Sequence, residues 1–359
     1  MNTHTSNIDL AGAAEKILAA KRVGVTTHAK PDGDAFGAVV ALAAALRELG
    51  KHVEAWFVPP VPANFSALRG SGLVKVYRPG VVPEDLDLLV LLDTAADAQM
   101  APMQGELARL LSRTLIIDHH LTGDLAAAWR CIDERAPACC QMVAALIEKL
   151  SARAGGADGR LFTPTVCEAL FVGIASDTGW FRFSNTQPQT HELAAELMRR
   201  GVDPTELYRK LEQTERPQKL ALQTRALQSL RLLADGRLAV MVLRASDFAE
   251  TGSRLEETER IVDLPQVVGS VQVAVLIVEP PPGEQNGQKS SDQPAIRVSL
   301  RSKPGPGAVN VAELAQRLGG GGHARAAGVK IIGSLEQAVG EVISAATAAT
   351  LARADRCLS

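Results

Sequence analysis

Residues 113–120 read RTLIIDHH. An apolar run that ends in an acid and two adjacent imidazoles reads as a buried strand emerging at the edge of a sheet. Neighbouring strand residues point to opposite faces, so His119 and His120 need not share one task. Working outward from this strand, the first half of the chain alternates strand and helix signals. RVGVTTH (22–28) predicts a strand, AFGAVVALAAALRELG (35–50) a helix ending at Gly50, HVEAWFV (52–58) a strand and DLDLLVLLD (85–93) a continuous apolar strand. A parallel strand buried on both faces has that character. Helices are predicted near 137–150, 164–176 and 188–200. The rhythm implies an α/β fold with a doubly wound, mostly parallel sheet.

The chain has 359 residues, 46% of them hydrophobic and only 4% aromatic. At roughly 100–200 residues per domain this suggests two domains, with cores built mainly from Ala, Val and Leu. A net charge of −2 argues against a protein that coats long nucleic acid, which needs a basic excess. Cys131, Cys139, Cys140, Cys167 and Cys357 contain no CxxC pair, so they read as reduced thiols of a cytoplasmic protein. The N-terminal stretch reads as a short amphipathic helix instead of a signal peptide. No run approaches the length of a membrane span.

The pattern changes after residue 200. The first domain is expected over 1–202, a charged helical linker over 203–225 and a smaller α+β domain with a mixed sheet over 226–359. In the last of these, LRLLADGRLAVMVL predicts a hairpin turning at Asp235-Gly236. VQVAVLIVE and AIRVSLRSK predict further strands, and the Pro- and Gly-rich stretch near 281–293 a mobile loop.

Open α/β sheets bind ligands beyond the carboxyl ends of their strands. Those ends are rich in donors here: His28, Asp32 and Asp34 follow the first strand, Asp93 ends another, Asp118, His119 and His120 end the opening one, and Asp177 ends the segment 171–177. Each has an ordinary explanation alone. HxxxDxD is a common solvated turn, and Asp93 or Asp177 is a plausible cap. Their delivery from four successive segments to one edge favours a metal site. Mixed His and Asp donors without Cys suit Mn²⁺, with Mg²⁺, Co²⁺, Fe²⁺ or Zn²⁺ as alternatives. The donors exceed the needs of one ion and suffice for two ions about 3.5–4 Å apart. In the second domain, GGGGHARAAG (319–328) puts glycines, His323 and Arg325 before a strand, a pattern that lets backbone approach an anion. Six Lys or Arg and one acid lie between Arg297 and Lys330. Arg301 among them has the fork geometry for a phosphate.

The motifs THAKPDGDA, LLDTA, IIDHH, ASDTGWFRFSNT and GGGGHARAAG, in that order, resemble the DHH phosphoesterase superfamily with its C-terminal partner domain. Within it, the chain is similar to the bifunctional oligoribonuclease and PAP phosphatase branch. The resemblance implies an active-site cleft between the domains. It implies one ion on His28, Asp32 and Asp93, and another on Asp34, Asp93, His119 and Asp177. It places His120 at the substrate phosphate and Asp118 behind the histidines. Arg301, Gly320, Gly321, Gly322 and His323 would bind the nucleotide, with Asn310, Lys303 and Arg325 as further candidates. The implied substrates are short RNA oligonucleotides and 3′-phosphoadenosine 5′-phosphate (pAp). Cyclic dinucleotides or linear pApA and pGpG are the competing substrates, and a silent nucleotide sensor the competing class. A homodimer paired through the first domain is also implied, and no membrane partner.

Trp180, Phe181 and Phe183 read as core packing in preference to base stacking. His4, His52 and His191 read as surface or capping residues, for want of companions.

Overall fold

A computed structural model describes residues 4–155, 159–283, 295–305 and 308–354. Cys357 and most of the loop expected at 281–293 lie outside the described residues. The chain divides into two compact units, Met1–Thr214 and Glu215–Ser359.

In the first unit the elements run α1 (Leu10–Ala19), β1 (Arg22–Thr27), α2 (Gly33–Glu48), β2 (His52–Phe57), β3 (Lys75–Val76), β4 (Leu88–Leu92), α3 (Gln104–Leu110), β5 (Thr114–Asp118), β6 (Trp129–Ile132), α4 (Cys139–Arg153), α5 (Pro164–Asp177), α6 (Pro188–Arg199) and α7 (Pro204–Glu212). The strands form one sheet in the order β3-β2-β1-β4-β5-β6, every pairing parallel. The order reverses between β1 and β4, and such a switch opens a crevice at the strands' carboxyl ends. Side chains of β4 alternate between two cores. Leu88, Val90 and Leu92 pack with α1, α2, α4 and α5, while Leu89 and Leu91 pack with Trp56, Met100 and α3. Burial on both faces explains the unbroken apolar run.

Helix α2 begins two residues before its expected start, because Asp32 caps it by accepting the amides of Asp34 and Ala35. Every residue of α2 from Gly33 to Leu46 is buried. It crosses α5 so closely that a Cβ on Gly37 would lie 2.3 Å from the Ala169 carbonyl, and one on Gly173 2.6 Å from Asp34 Oδ1. The crossing sets the first turn of α2, with Asp34, against the region where α5 ends at Asp177.

The second unit contains α8 (Pro217–Gln228), β7 (Arg231–Leu233), β8 (Leu238–Leu243), α9 (Ala245–Thr251), β9 (Val273–Val278), β10 (Ala295–Ser302), α10 (Val311–Arg317), β11 (Gly321–His323), β12 (Ala326–Ile332) and α11 (Leu335–Ala354). Its sheet has the order β11-β12-β10-β9-β8-β7; β8 and β9 are parallel and the other neighbours antiparallel. Helices α8 and α9 cover one face, α10 and α11 the other. The helical stretch 203–225, read as a linker, is shared between the units. Leu207 of α7 is buried in the first, where Tyr208 packs edge-on to Trp180, and Leu222 and Ala226 of α8 are buried in the second.

Among the described residues no helix is long and apolar enough to cross a membrane. The α2–α5 crossing predicts that Gly37→Val loses about 1–3 kcal/mol in urea unfolding, the usual range for overpacking. Gly105→Ala, where a Cβ meets nothing within 4 Å, is expected to show no loss.

Candidate metal centre

Asp93, directly after β4, is the centre of the site. It is only 2% exposed, and its φ of +62° is a conformation that few non-glycine residues adopt. His28 Nε2 lies 3.6 Å from Asp93 Oδ2, and His119 Nε2 3.3 Å from Asp93 Oδ1. His119 Nε2 is also 3.5 Å from Asp177 Oδ2 and 3.8 Å from Asp34 Oδ2. Donor atoms fall into three overlapping groups, each within 4.8 Å: His28, Asp32 and Asp93; Asp34, His119 and Asp177; Asp93, His119 and His120. The structure thus gathers all the first-unit candidates at the topological switch.

Each imidazole is oriented by its other nitrogen. His28 Nδ1–H donates to the Ala29 carbonyl at 2.9 Å, and His119 Nδ1–H to the Ala136 carbonyl at 3.0 Å. That leaves both Nε2 atoms aimed at the carboxylates, the tautomer a metal ligand needs. His120 differs. Its Nδ1–H donates to Asp118 Oδ1 at 2.7 Å, and the same oxygen accepts the backbone amides of His119 and His120. Asp34 is held by the N-terminus of α4, where the amides of Cys139 and Cys140 reach its two oxygens at 2.5 and 2.9 Å. Those amides would otherwise lack partners at a helix start, since the N-cap residue of α4 is Ala138 and supplies no side-chain bond. The thiols of Cys139 and Cys140 turn to the carbonyls of Ile117 and Asp34, so the donor set facing the centre is nitrogen and oxygen.

The electrostatics show a site short of positive charge. Burial opposes the charged form of His28, but Asp93 outweighs it and pushes the imidazole up to about 9. Against the same penalty, Asp93, Asp34 and Asp177 push His119 up to about 10. The hydrogen bond that His120 donates to Asp118 raises its pKa. Burial and the neighbouring carboxylates raise Asp34 well above the usual carboxylate range, and burial lifts Asp177 to about 6. Asp93 itself is also disfavoured by burial, yet the facing imidazoles hold it below the usual value. Its Oδ1 is buried without a hydrogen-bond partner among the described residues. An orphaned carboxylate oxygen among imidazoles and acids is what a divalent ion would satisfy, and the donor chemistry suits a hard-to-borderline one.

The second-unit candidates cluster where β11, β12 and β10 meet, with Arg301 and His323 both opposite Ala326. Several already have internal partners. Arg301 Nε is 3.4 Å from Asp263 Oδ1. Asn310 caps α10, accepting from Ala312 and donating to Glu313. Arg325 reaches the Lys303 carbonyl at 3.3 Å, and Lys303 Nζ the Val268 carbonyl at 2.6 Å. The glycine run is not an open loop. Gly321 and Gly322 lie in β11, and a Cβ on Gly320 or Gly322 would strike the backbone of β12 at 2.3 or 2.5 Å. Gly321 has open space and His323 is exposed.

Trp180 and Phe181 pack against the core as half-buried residues, on a left-handed turn with φ of +57° and +63° that closes α5 just after Asp177; Phe183 is exposed. His4 is not a surface residue. It is 7% exposed and bonds to the His120 carbonyl. The residues missed by sequence reasoning act through backbone over long separations: the Ala29 and Ala136 carbonyls, the Cys139 and Cys140 amides, and His4. No local pattern marks such partners. The Asn of FSNT had a signal, since Asn185 ties the Asp177 carbonyl to that of Pro137.

Residues 22–174 match the N-terminal domain of the DHH family, and residues 241–350 match the DHHA1 domain. A curated relative from Thermus thermophilus, the bifunctional oligoribonuclease and PAP phosphatase NrnA, is 32% identical over 89% of this chain and 88% of its own length. The Bacillus subtilis protein of the same name is 27% identical over 85% and 87%. Among solved structures, an exopolyphosphatase-related protein from Bacteroides fragilis superposes with a TM-score of 0.79 at 22% identity, covering 96% of this chain and 97% of its own.

Because His28 and His119 hold protons up to about pH 9 and 10 in the metal-free site, a divalent ion must displace them. Mn²⁺ binding is therefore expected to release protons at neutral pH and to weaken as pH falls from 9 to 6. Titration calorimetry in buffers of different ionisation heat measures both. An affinity independent of pH over that range would contradict the assignment.

Proposed function

The chain belongs to the DHH family, and on that premise we propose that it is a metal-dependent phosphoesterase that hydrolyses short oligoribonucleotides to mononucleotides and pAp to AMP. The observation that carries this reading is Asp93, a buried carboxylate that turns one oxygen to His28 and the other to His119. A carboxylate so placed would be available as a ligand to two ions. In this reading His28, Asp32 and Asp93 take one ion, and Asp34, Asp93, His119 and Asp177 the other, with Mn²⁺ the best fit to the donor set. When bound, such a pair supplies Lewis-acid charge to a phosphoryl group and lowers the pKa of water.

The chain's own residues do the rest. The buried carboxylates fix the positions of the charges, and the Ala29 and Ala136 carbonyls keep the two ligand imidazoles in one tautomer. His120 stands at the open side with its Nδ1–H held by Asp118 and its pKa raised. Its Nε2 is left to donate a proton to a phosphate oxygen or to the leaving group. The net charge of −2 gives little electrostatic attraction for extended polymers, which favours short substrates. In this reading the basic segment between Arg297 and Lys330 contributes to nucleotide binding, with His323 and Arg325 exposed and open space at Gly321.

The test is turnover of labelled two- to five-residue RNA, pAp, pApA, cyclic di-AMP and pyrophosphate with Mn²⁺. Hydrolysis of pyrophosphate alone would overturn the reading. Asp93→Asn is expected to lower kcat at least about 100-fold, as loss of a central charge-stabilising group does. His119→Ala should lose bound metal, and His120→Ala should lose turnover with metal retained. His323→Ala should raise KM for nucleotides while kcat holds; an equal fall in kcat would remove His323 from the binding surface.

A further inference from the structure

The residues before α1 do more than lead into a helix. His4 to Ile8 run along β6, the edge strand of the first sheet. Asn7 N–H donates to the Arg130 carbonyl at 2.9 Å, and its side chain pairs with Ala128 and the Arg130 amide. Ser6 Oγ donates to the Ile132 carbonyl and accepts the Ile132 amide. Arg130 Nε donates to the Thr5 carbonyl at 3.2 Å. This strap ends at His4, whose buried Nε2–H donates to the His120 carbonyl at 2.5 Å.

The turn after His120 is gripped from the other side as well. The amides of Asp124 and Leu125 donate to the Ala95 carbonyl at 2.9 and 3.0 Å, and Asp97 N–H to Asp124 Oδ1. Gly123 sits in the grip. A Cβ there would lie 2.5 Å from both Ala95 Cβ and His4 Nδ1. Leu121, by contrast, is 73% exposed, so nothing packs over the turn at that point. Asp118 holds the His120 side chain, and His4 holds its backbone.

We propose that the segment 4–8 is a strap that sets the position of His120, with His4 as a positioning residue that touches neither substrate nor metal. This rests on the reading of His120 as the group that meets the phosphate. Small displacements of a reacting group cost rate far more than binding.

The test uses the full chain with Mn²⁺ and pAp. His4→Ala should lower kcat roughly tenfold or more, leaving Mn²⁺ affinity, KM and thermal midpoint close to those of the parent. His4→Gln, whose amide nitrogen reaches where Nε2 was, should restore most of kcat. The double variant Ser6→Ala/Asn7→Ala, which keeps His4 but loosens the strap, should reproduce the kcat loss. Added to His120→Ala, His4→Ala should have no further effect. Unchanged kcat in His4→Ala, a Gln variant no better than Ala, or additive loss on the His120→Ala background would each overturn the strap. The two readings fail separately. Full activity in His120→Ala overturns the role of His120 itself, whereas an inactive His120→Ala beside a fully active His4→Ala overturns only the strap.

Discussion

A carboxylate buried to 2% exposure at the end of a central strand is the constraint around which the first unit is arranged. An isolated ionised carboxylate is strongly disfavoured away from water, and Asp93 is placed where nothing apolar can relieve it. Relief comes from elements that the parallel order brings side by side. β1 delivers His28 on one side and β5 delivers His119 on the other, because both strands are hydrogen-bonded to β4. The left-handed backbone at Asp93 turns the chain out of the sheet at the same residue, so the carboxylate stays in the crevice while the chain continues to the 3-10 helix that starts at Asp97. The charge, the strand order and the backbone conformation form one device.

The remaining acids are placed by helices. Asp34 enters only because Gly37 and Gly173 let α2 and α5 approach to backbone contact. It then serves as the missing cap of α4, which ties a third helix to the centre. Fold stability and site geometry are coupled there: the close packing that buries α2 is the packing that aims Asp34 and Asp177.

Much of this was legible in the residues. β1, β2, β4 and β5 announce themselves as apolar runs, and their terminal acids and histidines mark the ligand edge, because both signals are local. β3 is two residues long, and β6 alternates Trp129, Arg130, Cys131 and Ile132 with mixed burial, so neither rises above its surroundings. The helical stretch after residue 202 looked continuous, since charge pattern does not reveal which core a helix face will meet. In the sequence, the glycine run signals only what it admits, an anion. The structure adds what two of its members exclude, a Cβ against β12, while Gly321, His323 and Arg325 are among the members that face outward. The partners of His119, Asp34 and His120 lie 17, 105 and 116 residues away, beyond the reach of any periodicity.

The adjacent histidines show how like residues acquire unlike roles. His119 continues the strand's last step inward, and its side chain is 12% exposed, ringed by three carboxylates. His120 follows the turn that Asp118 makes by accepting two consecutive amides, and its side chain is 46% exposed with one carboxylate in hydrogen-bond contact. A nitrogen enclosed by several carboxylates has the surroundings of a metal ligand. A ring held at one nitrogen by a carboxylate and open at the other has those of a proton donor to something arriving from solvent. The difference follows from Asp118: without its carboxylate to break the strand and seat the second ring, the two imidazoles would differ only by the alternation of the strand, and only one could face the crevice.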